Sequence, residues 1–408
     1  MNNNKKIWVL SELFYPEETA TSYIITQIVE KIAETHEVNV VCGPVSYEKK
    51  SNREFNQTLN PSIKIDRINL IDLDKNHLIS RTIRMVGLTF LMSCRLIFKS
   101  RKGDDVFIVT NPAALLLMVG YISRIKKLNL YILVHDVFPE NVVAAGLLKP
   151  DSLLLKTLKK LFDKAYSKAD VLIVLGRDMY QVIKDKIKPF KHQSEVEIIE
   201  NWADIENVFP TAKKDNKLLS ELGLTDKIVF QYAGNLGRVQ GLQSLISVIN
   251  EIKNPLLFFL FMGEGAIKNE LKQFIADHRM ANVKILPSMP RSSQNIFLNA
   301  CDISIVCLTD NMFGLGVPSK AYNIMAAGKP ILYIGDKKSE IALTIEEFGN
   351  GWVFETNEKL RLVDYFNSIN CDLLAECHYK GIKGRELAEV KYSKGSILNK
   401  FRKLLMSF

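Results

Sequence analysis

Short runs of apolar and β-branched residues alternate with stretches of helical periodicity along almost the whole chain. This alternation is typical of parallel sheets whose two faces are covered by helices. In the first half, the predicted strands are 7–14, 38–42, 63–70, 106–110, 130–134, 171–175 and 196–199. In the second half, they are 228–233, 256–262, 283–286, 303–307 and 331–334. The pattern predicts an α/β protein with two successive doubly wound, Rossmann-like domains.

The alternation is interrupted at 201–216, where Trp202 and Pro210 fall in a stretch without periodicity. A chain of 408 residues is also too long for one ordinary core. We therefore place an N-terminal domain at 1–205, a second domain at 206–390 and a closing amphipathic helix at 391–408. Ligands of doubly wound sheets bind beyond the carboxyl ends of the strands, so we expect a site in the cleft between the two domains.

Positive charge is concentrated in one segment of a chain whose net charge is +9. Seven Lys and Arg residues, and no Asp or Glu, lie from Lys75 to Lys102, with apolar residues between them at near-helical spacing. An amphipathic helix resting on anionic lipid and a core helix with a solvated basic edge both fit this pattern. Nucleic acid is not expected as a partner, because no aromatic stacking platform accompanies the basic residues.

The first residues are polar and do not show the charged, apolar and small-residue order of a signal peptide. The longest apolar stretch, 106–123, is broken by Thr110, Asn111 and Pro112. Such a break is typical of a strand, a loop and a helix rather than of a bilayer span. We expect a cytoplasmic protein without a transmembrane helix.

The most informative local pattern lies at 313–330, where a glycine-bearing loop leads into a helix and then a strand. Ser319 is predicted to cap this helix, Gly328 to end it and Pro330 to open the strand. A helix N-terminus attracts phosphate through its unpaired N–H groups and its dipole, and Lys320 adds a full positive charge there. An ordinary capped surface helix is the alternative for this motif alone.

Two further glycine turns follow predicted strands of the second domain. The first lies at 234–241 and precedes the predicted helix 242–252, and the second is 263–265. Turns of this kind let a backbone approach a pyrophosphate closely. Plain turns between a strand and a helix have the same pattern, so each turn is ambiguous by itself.

In this order and spacing, the three motifs resemble the donor-binding domain of retaining GT-B glycosyltransferases of family four, which build bacterial surface polysaccharides. In that family, the first glycine turn and the turn before the last long helix hold the diphosphate of the donor. The resemblance extends to 135–146, which is similar to a stretch in relatives of the N-acetylfucosaminyltransferases. It also includes the first loop after Pro16, where the family brings backbone amides near the diphosphate.

The resemblance implies a hexosyl- or N-acetylhexosaminyl-transferase that retains the anomeric configuration of the sugar. The expected donor is a nucleotide-sugar, by preference a UDP-sugar. The expected acceptor is a lipid-linked saccharide in capsule or O-antigen synthesis. It also implies peripheral association with the inner face of the cytoplasmic membrane, and neither a metal nor another cofactor. The expected catalytic residues are His135, Asp136, Arg238 and Lys320. The residues expected to bind substrate are Thr19, Ala20, Thr21, Glu140, Gly234, Asn235, Leu236, Gly237, Gln240, Gly263, Gly265, Gly316, Val317, Pro318, Ser319 and Asn323.

The chain departs from the family pattern at four positions. Asn235 and Gln240 stand where many members have an Arg and a Lys. Leu315 and Asn323 stand where the family has two glutamates. The two cations named as catalytic are expected to restore the positive charge from shifted positions, and the amide of Asn323 still offers hydrogen bonds to a ribose hydroxyl.

Three other functions fit parts of the pattern. A nucleotide-sugar epimerase of the same fold would turn over its donor without an acceptor, and a non-catalytic subunit of a polysaccharide-assembly complex would bind nucleotide without transfer. A dinucleotide-dependent oxidoreductase is disfavoured, because Tyr15-Pro16-Glu17-Glu18 follows the first strand in place of G-x-G-x-x-G.

Asp72-Leu73-Asp74 has the spacing of the manganese-binding pair in the other large glycosyltransferase fold. The tripeptide is common by chance, and two doubly wound domains already supply cations and helix dipoles to neutralise a diphosphate. We therefore expect no metal site.

Overall fold

The computed structural model describes residues 5–17, 19–45, 58–69, 78–192 and 194–406, which form two parallel sheets covered by helices. The predicted α/β class with two doubly wound domains is confirmed. Asp72-Leu73-Asp74 lies outside the described residues.

The first sheet has seven parallel strands in the order β3-β2-β1-β4-β5-β6-β7. Its strands are β1 Ile7–Ser11, β2 Val38–Cys42, β3 Ile63–Arg67, β4 Asp105–Val109, β5 Asn129–Val134, β6 Val171–Val174 and β7 Glu195–Ile198. The helices on its faces are α1 Ala20–Ala33, α2 Leu78–Lys99, α3 Ala113–Lys126, α4 Glu140–Ala144, α5 Leu153–Tyr166 and α6 Arg177–Ile187. The inner strands β1, β4 and β6 are buried along their whole length, because helices cover both faces. We call this sheet with α1–α6 the first lobe.

The second sheet has six parallel strands in the order β10-β9-β8-β11-β12-β13. Its strands are β8 Ile228–Ala233, β9 Leu257–Met262, β10 Val283–Leu286, β11 Ile303–Cys307, β12 Ile331–Ile334 and β13 Gly351–Phe354. The helices that follow the first lobe are α7 Lys217–Leu222, α8 Leu242–Ile249, α9 Lys268–Asp277, α10 Gln294–Leu298, α11 Lys320–Ala326, α12 Glu340–Phe348, α13 Lys359–Ser368, α14 Leu373–Val390 and α15 Lys394–Met406. We call this sheet with α7–α13 the second lobe.

The chain crosses between the lobes twice. The first crossing connects β7 to α7, and the predicted domain boundary at 205/206 falls within it. The second leads from α14 to α15, and the two crossings touch where the Ala203 amide donates to the Tyr392 carbonyl at 2.7 Å. The last helix then packs on the first lobe, where the Phe401 ring meets the Phe107 ring edge-on, with centroids 6.5 Å apart.

The basic helix α2 has an apolar inner face. Leu88, Met92 and Leu96 on that face are fully buried. Its outer face leaves Phe90 and Phe98 exposed, at 55% and 84%. Within the described residues, no helix combines the length and the apolar character that crossing a bilayer requires.

Candidate functional site

A cavity of about 820 Å³ lies between the two lobes, at the carboxyl ends of the strands. The first lobe contributes Ala20 and Tyr23 at the start of α1, and His135 and Asp136 after β5. The second lobe contributes the turns after β8 and β9 and the loop before α11. The loops that follow the carboxyl ends of parallel strands lie together at one edge of the sheet. The position of the cavity therefore agrees with the cleft predicted from the sequence.

The basic side chain of Lys320 lines this cavity. Its Nζ is fully buried, and among the described residues it has no hydrogen-bond partner. The Nζ lies 3.4 Å from the ring centroid of Tyr232, whose hydroxyl donates to the Asn235 carbonyl at 2.8 Å. Burial lowers the pKa of Lys320 to about 7. An ammonium group held in this way is available to an anion, because no described residue forms a hydrogen bond with it.

The two glycine turns pack against each other. A Cβ on Gly263 would lie 1.9 Å from the Gly234 carbonyl oxygen, and one on Gly265 would lie 2.3 Å from that of Leu236. The Leu236 amide donates to the Glu264 carbonyl at 2.8 Å. These contacts require glycine regardless of any ligand. Gly234 and Gly263 do line the cavity, whereas Leu236 is fully buried beneath it and Gly265 lies outside the described lining.

The neutral amides of the first turn stand at the cavity in place of charged groups. Asn235 and Gln240 line it, and the Gln240 Oε1 is buried with no hydrogen-bond partner within the described chain. Gly237 lies behind them, where a Cβ would meet both side chains within 2.7 Å. Arg238 points outward and is exposed, outside the described cavity lining, because it begins the short 3-10 helix Arg238–Gln240. The structure does not bring it into the described lining, and its role as a catalytic cation stays a prediction.

The loop before α11 lines the cavity with Gly316, Val317, Pro318 and Ser319, as predicted. Ser319 has helical dihedral angles, φ −60° and ψ −23°, and its side chain caps no amide of the described helix. The predicted cap is wrong because a capping side chain needs an extended backbone at that position. Helix α11 has only seven residues, so Lys320 rather than the helix dipole supplies most of the positive charge. Gly328 ends the helix with φ +63°, as predicted.

His135 and Asp136 reach the cavity from the first lobe, as predicted. Both backbone amides donate to the Thr110 hydroxyl, at 3.1 and 3.2 Å, which fixes the end of β5. The His135 Nε2 is buried and has no partner among the described residues. Burial lowers the pKa of His135 to about 4 and raises the pKa of Asp136. The imidazole is therefore neutral near pH 7 and offers a hydrogen bond rather than a charge.

Asn323 lines the cavity, but its Oδ1 accepts a hydrogen bond from the Asp204 amide at 2.8 Å. This oxygen therefore holds the first crossing in place, and the amide nitrogen is left to face a ligand. Leu315, at the other position where the family has a glutamate, is buried. Its carbonyl oxygen accepts from the Val137 amide at 3.0 Å, which ties the loop to the first lobe.

The predicted residues of the first loop are only partly at the cavity. Ala20 lines it, Thr19 caps α1 by accepting from the Ser22 amide at 3.2 Å, and Thr21 lies outside the described lining. Glu140, also predicted to bind substrate, lies outside the described lining of the cavity. Its carboxylate accepts from Lys186 Nζ at 2.6 Å, away from the cavity, because the buried ammonium of Lys186 needs a counter-ion.

The sequence motifs missed Arg291, a cation at the cavity. The guanidinium carbon lies 3.4 Å from the ring centroid of Tyr23, which also lies 6.1 Å from the ring of Trp202. A weak ion pair of 3.8 Å joins Arg291 to Asp204. The available signal was position alone, since Arg291 follows β10 closely and loops after parallel strands reach this edge of the sheet.

No group of three or more His, Cys, Asp or Glu residues with the arrangement of a metal site occurs in the parts of the chain that the structure describes. The described cavity lining supplies the cations of Lys320 and Arg291, neutral amides, hydroxyl groups, the imidazole of His135 and two carboxylates, those of Asp136 and Glu264.

Comparison with known proteins agrees with this geometry. Residues 215–378 match the family model "Glycosyl transferases group 1". Over 396 residues, the chain is 35% identical to the probable glycosyltransferase WbjE of Pseudomonas aeruginosa, covering 97% of this chain and 96% of that protein. It is also 26% identical, over 203 residues and 49% of each chain, to the putative colanic acid biosynthesis glycosyl transferase WcaI of Escherichia coli K12.

Among solved structures, the fold is similar to that of Anabaena Alr3699/HepE in complex with UDP and glucose. The TM-score is 0.72 at 17% identity, and the match covers 99% of this chain and 100% of that chain. This likeness confirms the predicted GT-B arrangement of two Rossmann-like domains.

Proposed function

Because this chain belongs to the group 1 glycosyltransferase family, we propose that it transfers a sugar, with retention, from a UDP-sugar to a lipid-linked saccharide acceptor during surface polysaccharide synthesis. The UDP-bound Alr3699/HepE structure and the assignment of WcaI to colanic acid biosynthesis support the donor and the pathway class. The resemblance to surface-polysaccharide transferases supports the acceptor.

The observation that carries the proposal is the buried Nζ of Lys320 at the cavity wall, which has no hydrogen-bond partner in the described parts of the chain. Keeping an ammonium in such a place costs stability unless a ligand supplies the missing anion. A diphosphate fits this need, because its charge increases as the bond to the sugar breaks. The attraction between Lys320 and the diphosphate is then strongest in the transition state, and stabilising that charge accelerates the reaction.

In the proposed reaction, the bond between the anomeric carbon and the diphosphate breaks as the acceptor hydroxyl attacks from the same face. The departing diphosphate oxygen takes the acceptor's proton, so the protein supplies orientation and charge stabilisation. Lys320 and the backbone amides of Gly316, Val317 and Ser319 hold the diphosphate. His135 and Asp136 face them from the first lobe and orient the donor sugar and the acceptor hydroxyl.

We extend the proposal to the membrane, since the outer face of α2 and the start of α5 are apolar and basic. Phe98 on α2 and Leu153 on α5 are 84% and 80% exposed, and Lys156 and Lys160 lie exposed beside Leu153. Exposed apolar groups among lysines favour an anionic lipid surface, where a lipid-linked acceptor resides. Binding to phosphatidylglycerol vesicles in a flotation assay tests this, with Phe98→Asp expected to weaken it. Equal flotation of the two proteins contradicts the membrane part of the proposal.

The central test is a screen of mass-tagged UDP-sugars with bacterial membrane extract as the acceptor source. Wild type is compared with Lys320→Ala and with Lys338→Ala, a control on an exposed lysine. We expect a labelled lipid product from wild type and from the control, and at least about a hundredfold less from Lys320→Ala. Equal product from Lys320→Ala and wild type would remove the assignment. Donor turnover without acceptor would favour the epimerase.

The reaction is also proposed to need no metal. Transfer by wild type should continue at the same rate in excess EDTA, because Lys320 and backbone amides neutralise the diphosphate. A loss of activity in EDTA that Mg²⁺ or Mn²⁺ restores contradicts this part.

A further inference from the structure

The N-termini of two helices from different lobes face each other away from the cavity. Helix α6 of the first lobe begins at Arg177 after Gly176, and α12 of the second lobe begins at Glu340 after Ser339. Neither Gly176 nor Ser339 caps an amide of its own helix with a side chain in the described structure. Both helix ends therefore need acceptors from elsewhere.

Each helix is capped by a carboxylate of the other lobe. The Glu340 carboxylate accepts from the Arg177 amide at 2.7 Å. In return, the Asp178 carboxylate accepts from the backbone amide of Glu340, and also from the Met179 amide at 2.8 Å. Capping is thus reciprocal across the lobe interface.

Opposite charges meet at this junction. Each helix N-terminus carries about half a positive charge, and the Arg177 guanidinium adds one more. The carboxylates of Asp178 and Glu340 supply two negative charges. Arg177 holds Glu340 with two side-chain bonds, from Nε to Oε2 at 2.9 Å and from Nη2 to Oε1 at 3.0 Å, and also pairs with Glu347.

The junction is tightly packed. Glu340 is 3% exposed, and a Cβ on Gly176 would lie 2.7 Å from its Cβ and Cγ atoms. Thr344 donates to the Oε1 of Glu340 at 3.3 Å. The Arg177 side chain is 36% exposed, whereas the Glu340 side chain is buried, so removing Arg177 leaves a buried carboxylate without its cation.

The same end of α6 supports the donor-binding loop. Gly314 has φ +66°, and a Cβ there would lie 2.4 Å from Val182 and 3.0 Å from the Asp178 carbonyl oxygen. The next two residues, Leu315 and Gly316, contact the segment 135–137, and 316–319 then line the cavity. One helix end thus holds both α12 and the start of this loop.

We propose that Arg177, Asp178 and Glu340 are positioning residues: by capping α6 and α12 reciprocally, they hold the lobes at the spacing that keeps loop 314–319 in its donor-binding position. All three lie outside the described lining of the cavity. The proposal rests on the function proposed above only in the identity of the donor, because the ordering of the loop is measurable without any reaction.

The first test is hydrogen exchange on the full-length protein without ligand. In Arg177→Met, the amides of 314–317 and Ser319 and those of the first turns of α6 and α12 should exchange at least about tenfold faster than in wild type. The matched control is Glu347→Gln, which removes only the outer, half-exposed partner of Arg177 and should leave exchange in the loop unchanged. Unchanged loop exchange in a folded Arg177→Met overturns the proposal, whether or not the protein is a transferase.

The second test is kinetic and uses UDP binding and sugar transfer. Arg177→Met should bind UDP roughly tenfold more weakly, with the KM for the donor raised and that for the acceptor unchanged. Glu340→Gln keeps the shape of the side chain and one acceptor oxygen, so this variant is used if Arg177→Met does not fold. It should weaken UDP binding and raise the KM for the donor by a smaller factor. A uniform loss of kcat with unchanged UDP affinity would show a merely structural role and overturn the proposal. Absence of transfer in wild type, with the exchange result intact, would refute only the proposed function.

Discussion

Replacing Lys320 by Met should make the protein more stable and much less active. Burial lowers the pKa of Lys320 from 10.5 to about 7. At about 1.4 kcal/mol per pH unit, holding the ammonium charged in the folded protein costs about 5 kcal/mol below pH 7. The loss of the contact with the Tyr232 ring offsets about 2 kcal/mol of this. A net gain of about 3 kcal/mol in the free energy of unfolding is therefore expected at pH 6.

The sign of the pH dependence follows from proton counts. The unfolded chain keeps the lysine proton up to about pH 10.5, whereas the folded chain releases it above about pH 7. The unfolded state thus binds more protons between these values, so the penalty is complete below pH 7 and falls as the pH rises. The stability advantage of Lys320→Met should accordingly shrink between pH 7 and pH 10.

Urea unfolding at pH 6 and pH 9 measures this, with Lys338→Met as the control for adding an exposed methionine. Transfer is measured on the same samples and should fall by a factor of about a hundred or more. The reasoning is refuted if Lys320→Met gains no stability over Lys338→Met at pH 6. It is equally refuted if transfer survives the substitution.

Three further predictions concern the cavity and its surroundings. The Kd for UDP, measured by calorimetry, should rise above pH 7 by up to about tenfold per pH unit, because Lys320 loses its proton there. The Kd of Lys320→Arg should show no such rise, because arginine stays charged. Gly263→Ala should lower the Tm and abolish UDP binding, because its Cβ would meet a carbonyl oxygen at 1.9 Å, whereas Gly395→Ala, with open space around it, should do neither. Glu140→Gln should cost about 1 kcal/mol in urea unfolding, because Lys186 keeps its ion pair with Asp163 at 2.6 Å, and the Kd for UDP should be unchanged; a changed Kd would return Glu140 to the site.

Most of the fold is visible in the sequence because parallel strands buried on both faces are continuous apolar runs. All twelve predicted strands occur within one or a few residues of their predicted ends, although residue 70 lies outside the described structure. Strand β13 was missed because it has four residues and starts with Gly351, which weakens any strand signal.

Predicted residues that directly follow a strand or begin a helix lie at the cavity. Predicted residues whose position depends on tertiary packing lie outside its described lining. Position after β5 and before α11 was enough to place His135, Asp136 and Lys320 at the cavity. Arg238 lies outside the described lining, since it is exposed at the start of the short 3-10 helix Arg238–Gln240, which the sequence did not indicate. Glu140 was misplaced because its partner Lys186 lies 46 residues away, a distance over which sequence patterns carry no information.

The paired crossings between the lobes have a consequence for anyone who wishes to study one lobe alone. A fragment that stops at the end of the first crossing lacks α15, so it would leave the apolar surface around Phe107 bare to water and would tend to aggregate. The self-sufficient unit is instead discontinuous in sequence: the first lobe together with the last helix. Joining that helix to the first lobe through a short linker, with the second lobe removed, is the form in which this half of the molecule should stay in solution.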